Sequence, residues 1–110
     1  MASEQVIELT DSNFKEEVIE SDMPVVVDFW AEWCYPCKML APTIGELAKD
    51  FAGQIKVGKL DTDSNREVPL KYGISAIPTV MVFKGGQLVR KFVGMQNKAD
   101  LKDAINDVLK

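Results

Sequence analysis

Residues 25–30 read Val-Val-Val-Asp-Phe-Trp, a β-branched and aromatic run that is nearly continuous rather than alternating. A strand of that kind is covered on both faces, so the rest of the chain must supply layers on either side of it. Its one interruption is Asp28, a carboxylate with apolar neighbours before and after it. Desolvation in such a strand raises a carboxyl pKa.

Shorter elements surround this central strand. Val6 to Leu9 reads as a first strand, and the polar cluster Thr10-Asp11-Ser12 offers N-cap oxygens to a helix that contains Phe14, Val18 and Ile19 and stops near Ser21-Asp22. Leu40, Ile44, Leu47, Ala48 and Phe51 recur at helical spacing with Pro42 inside the pattern, which predicts a kinked helix ending before Gly53. Ile55 to Leu60 gives a third strand, Arg66 to Tyr72 a short helix closed by Gly73, and Thr79 to Phe83 a fourth strand. Gly85-Gly86 turns the chain into Gln87 to Val93 as an antiparallel hairpin, and Asn97 caps a last helix carrying Leu101, Ala104, Ile105, Val108 and Leu109 on one face. The order β-α-β-α-β-α-β-β-α predicts an α/β fold over residues 1–110, one domain with a mixed sheet and helices on both faces.

The charge balance excludes several roles. With 13 basic and 17 acidic residues the net charge is −4, and no basic run tracks a phosphate backbone, so nucleic acid is not an expected partner. The longest apolar stretch, Pro24 to Trp30, is too short to span a bilayer. Met1-Ala2-Ser3-Glu4 lacks the basic and apolar regions of a secretory leader, so a cytoplasmic location away from membranes is expected. The chain has two cysteines, Cys34 and Cys37, and no histidine. Four-ligand zinc closure is out of reach within one chain, and no metal site is expected. A bridge across two intervening residues removes little unfolded-state entropy, so the pair points to chemistry rather than stapling.

The pair falls between the central strand and its helix, at the carboxyl edge of the sheet where open α/β folds place their sites. Cys34, expected to face solvent at the first turn of a helix, has backbone N–H groups and the positive dipole end directed at its sulfur, which favours the thiolate. Cys37 lies one turn deeper, with Pro36 removing a donor beside it, and burial should keep its thiol protonated.

Trp33-Cys34-Tyr35-Pro36-Cys37 resembles the thioredoxin family, and so does almost the whole chain. Val27 to Trp33, Lys38-Met39, Pro42, Lys59-Leu60-Asp61, Tyr72-Gly73-Ile74, Ile77-Pro78-Thr79 and Val93-Gly94 all stand at the family's relative spacing. The resemblance implies the thioredoxin fold with a central mixed five-stranded sheet, and a monomeric thiol–disulfide oxidoreductase that reduces protein disulfides. It implies Cys34 as nucleophile, Cys37 as resolving thiol, and Asp28 as a buried proton acceptor for Cys37 approached through Lys59. It also implies a cis bond before Pro78, whose neighbouring backbone pairs with an extended substrate segment. Trp33, Tyr35, Pro36, Ile77, Pro78 and Gly94 are the expected substrate-binding residues, with Ala76 and Met95 completing an apolar apron. Trp30 is expected to pack beneath the loop and Trp33 to lie exposed; Lys38 is expected to be either a surface lysine or an electrostatic aid to the sulfur. No cofactor is held by the chain itself, and the implied electron source is a thioredoxin reductase drawing on NADPH.

One departure bears on redox poise. The family's usual dipeptide between the cysteines is Gly-Pro, where this chain has Tyr35-Pro36. Thiols in thioredoxin-type sites titrate near about 7 against about 8.5 for free cysteine, a difference of about 2 kcal/mol. A helix dipole supplies about 0.3–1 kcal/mol, so hydrogen bonds to the sulfur, one of them from Cys37, must supply the rest. An oxidant or isomerase poise, and a redox-independent binding subunit, are the alternatives the sequence leaves open.

Overall fold

The structure is a computed structural model that describes residues 5–110. Met1-Ala2-Ser3-Glu4, on which the expectation of a leaderless N-terminus rests, lie outside the described residues. Five strands form one sheet in the order β1-β3-β2-β4-β5: β1 (Val6–Leu9), β2 (Val25–Trp30), β3 (Lys56–Asp61), β4 (Thr79–Lys84) and β5 (Gln87–Val93). β1, β3 and β2 run parallel, while β4 and β5 run antiparallel to their neighbours. The helices are α1 (Tyr35–Asp50), α2 (Glu67–Lys71) and α3 (Lys98–Leu109). Strand and helix ends agree with the sequence pattern to within one or two residues.

The alternation of β2 divides the core. Val26 points to one face, where Leu40, Ile44 and Leu47 of α1 pack with Leu101 and Ile105 of α3. Val25, Val27 and Phe29 point to the other, where Phe14, Val18, Val68 and Phe83 pack. All but Trp30 of β2 is buried, as its unbroken apolar pattern requires. Within the second core the rings of Phe14, Tyr72 and Phe83 meet in tilted and edge-on contacts with centroids 5.3–5.8 Å apart.

α1 begins at Tyr35 with Cys34 as its N-cap and runs through Pro42 to Asp50. Gly53, at φ +84°, follows its end in the left-handed conformation expected of a helix stop. Asn97 caps α3 by accepting the Asp100 N–H at 2.9 Å, as the sequence indicates.

The element after β1 departs from expectation. Lys15–Ile19 is a π-helical turn, closed by the Glu20 N–H donating to Lys15 O at 2.9 Å. The wider turn keeps both Phe14 and Val18 in the apolar layer before the chain bends at Ser21. The polar cluster does cap, but in two directions. Thr10 pairs with Asn13 through reciprocal bonds of 2.7 and 3.1 Å. Asp11 reaches across the fold to accept the Glu67 and Val68 N–H groups at 3.1 and 2.9 Å, and so caps α2.

Gly58 in β3 shows how tightly the second core closes on the sheet. A Cβ there would come within 2.6 Å of Leu9 Cδ1 and 3.1 Å of Ile7 O, so the close approach of β1 admits no side chain.

Candidate active site

The sheet's carboxyl edge assembles the site from three segments: the end of β2 with the start of α1, the turn after β3, and the loop leading into β4. Cys34 and Cys37 are joined by a disulfide. Ala31 closes their buried cluster, and Trp30 and Ile77 pack against it.

Cys34 occupies the N-cap position in extended conformation, φ −91° and ψ 105°. Its Sγ accepts the Cys37 backbone N–H at 3.2 Å, and its carbonyl oxygen accepts the Lys38 N–H at 3.2 Å. A sulfur in that position takes the place of the usual capping oxygen, and negative charge on it is favoured by the bond and by the helix's positive end. Pro36 in the first turn has no N–H of its own to be satisfied there.

The expectation of a solvent-facing Cys34 needs correction. With the disulfide closed, Cys34 is 4% exposed and Cys37 1%. The outer sulfur belongs to the buried cluster, while the flanking rings of Trp33 and Tyr35 are 71% and 70% exposed. The expected asymmetry in exposure between the two thiols is therefore slight in the oxidised chain.

Asp28 is 4% exposed, and its Oδ1 has no hydrogen-bond partner among the described residues. Burial pushes its pKa up to about 7, against a smaller downward pull from Lys59. β2 and β3 are in parallel register with Asp28 opposite Lys59, so the two side chains share one face of the sheet. That face also carries Trp30, whose ring lies under Lys59 Nζ at 5.1 Å and packs against the cysteine cluster. The Ile77–Pro78 bond is cis. Pro78 O accepts the Gly94 N–H at 2.8 Å, which holds the turn after β5 against the loop before β4. Gly94 has φ +89°, a conformation that side-chain-bearing residues rarely adopt. Exposed Val93 and Met95 flank it.

Thus Cys34, Cys37, Trp33, Tyr35, Pro36, Ile77, Pro78 and Gly94 converge on one edge of the sheet, with Asp28 and Lys59 in the layer beneath. Lys38 faces away into solvent and pairs with Glu32 at 3.1 Å, the surface outcome. The sequence reading passed over the turn after β3. Trp33 Nε1 donates to Asp63 Oδ2 at 2.8 Å, and the Asp63 N–H donates to Asp61 Oδ1 at 2.9 Å, so this turn holds the exposed indole. A groove of about 560 Å³ opens between Trp33, Asp63, Arg66, Leu70, Ile74 and Ile77. A polar run directly after a parallel strand, at the edge where such folds place their sites, is the signal that could have found it.

A match to the Thioredoxin family covers residues 5–107. Over 98 residues the chain is 54% identical to the thioredoxin of Rickettsia felis, covering 89% of this chain and 93% of that protein. Thioredoxin 1 of a Nostoc species is 52% identical over 98 residues, covering 89% of this chain and 92% of its own length. The thioredoxin of Pseudomonas aeruginosa is 48% identical over 99 residues, covering 90% and 92%.

Proposed function

The chain belongs to the thioredoxin family and is a thiol–disulfide oxidoreductase that reduces protein disulfides, and on that premise we propose the part each residue plays. The Cys34 thiolate attacks one sulfur of a substrate disulfide; a bond forms between Cys34 and that sulfur, and the other substrate sulfur leaves as a thiolate. Cys37 then loses its proton and attacks Cys34 Sγ, releasing the second substrate thiolate and leaving the Cys34–Cys37 disulfide. Two electrons have passed from the dithiol to the substrate. The observation that carries these roles is the Cys34 sulfur as N-cap of α1, accepting the Cys37 N–H. That bond supplies part of the stabilisation the helix dipole alone cannot give to a thiolate.

Asp28 receives the Cys37 proton. A carboxyl with a pKa of about 7 is poised to accept a proton at neutral pH. Lys59, opposite it on β3, holds positive charge beside the carboxylate that takes the proton. Trp33, Tyr35, Pro36, Ile77, Pro78 and Gly94 form the rim that receives an extended substrate segment, whose backbone pairs beside the cis bond. A thioredoxin reductase drawing on NADPH returns the dithiol, and the chain itself holds no cofactor.

Residues 1–110 act as one domain, a reading supported by the single sheet covered on both faces. We read the protein as a cytoplasmic monomer that engages neither nucleic acid nor membrane. Its net charge of −4 supports this, and no helix among the described residues is long and apolar enough to cross a membrane.

The roles are tested by coupling the protein to NADPH, a thioredoxin reductase and a disulfide-bonded protein. Cys34→Ser should abolish turnover and form no adduct with substrate. Cys37→Ser should accumulate a covalent mixed disulfide at Cys34, visible as a mass increase that a reductant reverses. A Cys34→Ser chain that still turns over would remove Cys34 from its role.

A further inference from the structure

The groove beside the disulfide is apolar along most of its wall, and Arg66 is the only cation among the described residues that line it. The other arginine, Arg90, is bound by Asp107 at 2.8 Å. Lys38, Lys56 and Lys98 are likewise held by carboxylates. Arg66 is exposed and makes no salt bridge or side-chain hydrogen bond to any described residue. The one anion among the described lining residues, Asp63, is already engaged, its Oδ2 accepting the Trp33 indole N–H. Neighbouring Glu67 lines a separate cleft on the far side of α2, beside Asp11 and Lys15.

The guanidinium is therefore a free, forked donor on the wall of a groove that is also lined by Ile77, which packs against the cysteine cluster. We infer that this groove reads the charge of the substrate chain: an extended segment running on from the target cysteine lays an acidic side chain against Arg66. Disulfides flanked by Asp or Glu are thereby preferred over those flanked by Lys or Arg. Planar bidentate pairing suits a guanidinium facing a carboxylate. The inference rests on the reading that substrate is attacked at Cys34 and passes over Ile77.

The protein's overall charge of −4 makes the contrast sharp, because its long-range field favours basic substrates. Acidic preference can arise only from a local cation. The experiment uses four disulfide peptides of one core sequence, with two Glu or two Lys placed on the N-terminal or the C-terminal side of the cysteine. Each is turned over by the full chain with NADPH and a thioredoxin reductase. On one side the Glu peptide should exceed the Lys peptide about threefold or more in kcat/KM at low ionic strength, the range expected of an exposed charge pair. The ratio should fall towards one in about 0.5 M salt. Arg66→Gln should cancel the preference and Arg66→Glu should reverse it, while a neutral peptide is turned over as before. Equal rates for the Glu and Lys peptides on both sides, a preference for Lys, or a ratio that survives Arg66→Gln overturns the inference. Failure of the unaltered chain to turn over any of the four, neutral control included, would strike at the oxidoreductase roles instead.

Discussion

Asp28 is the residue where burial and chemistry meet. Its pKa of about 7 in the fold stands against 3.8 for an ordinary aspartate, so between those values the native chain binds more protons than the unfolded one. The contribution of this residue to stability is therefore intact below about pH 4, falls as pH rises, and is fully lost above about pH 7. The loss amounts to about 4 kcal/mol, taken from about 3 pKa units at 1.36 kcal/mol each. Asp28→Asn should erase that slope. In urea unfolding of the disulfide form, the variant should match the original chain near pH 4 and exceed it by a few kcal/mol near pH 8. The same substitution removes the acceptor for the Cys37 proton. Resolution of a preformed mixed disulfide should rise in rate as pH passes through about 7 in the original chain. In Asp28→Asn it should be slower by about tenfold or more, without that inflection, as stopped-flow release of the second thiol would show.

Among the elements, α2 is the one most dependent on a distant partner. It spans only Glu67–Lys71, and its first N–H groups are satisfied by Asp11, which precedes it by more than fifty residues. So short a helix has little stability of its own, and the cap fixes it where it walls the groove. Asp11→Ala should cost about 1–2 kcal/mol in chemical denaturation and raise hydrogen exchange in residues 66–72. A second test belongs to the strands. Gly58→Ala would set a methyl group against the buried Leu9, and β1 would have to move away. We expect about 1–3 kcal/mol of destabilisation, measured by urea unfolding, with the disulfide chemistry unimpaired.

For the molecule as a whole, the sheet concentrates protection at its centre and leaves reactivity at its rim. β2 and β4 have nearly every residue buried, whereas β5 is largely exposed along an edge that carries Arg90 and Lys91. Amides of β2 and β4 should exchange only through global unfolding, and those of β5 and of the turn at Lys15–Ile19 through smaller openings. Mass-resolved hydrogen exchange would show this ordering. The arrangement suits an electron carrier. Cys34 stands between the buried central strand β2 and α1, while the groove is walled by loop residues and a five-residue helix.

Sequence alone determined what depends on neighbours along the chain. The unbroken run of β2, the helical spacing of α1 and α3, the Asn97 cap and the Gly85-Gly86 turn are local patterns, and each stands where the pattern put it. The Cys34/Cys37 pair at a helix start and the buried Asp28 were legible for the same reason: spacing of three and an apolar context are written in consecutive residues. Other features belong to the tertiary structure, because they join residues that only folding brings together. Asp11 caps α2 rather than its own segment, Asp63 holds Trp33, and Arg66 and Ile77 line one groove. The burial of Cys34 was decided at that level too: in the disulfide-bonded chain it lies in a cluster against which Ile77 packs, although its place at a helix start had suggested exposure.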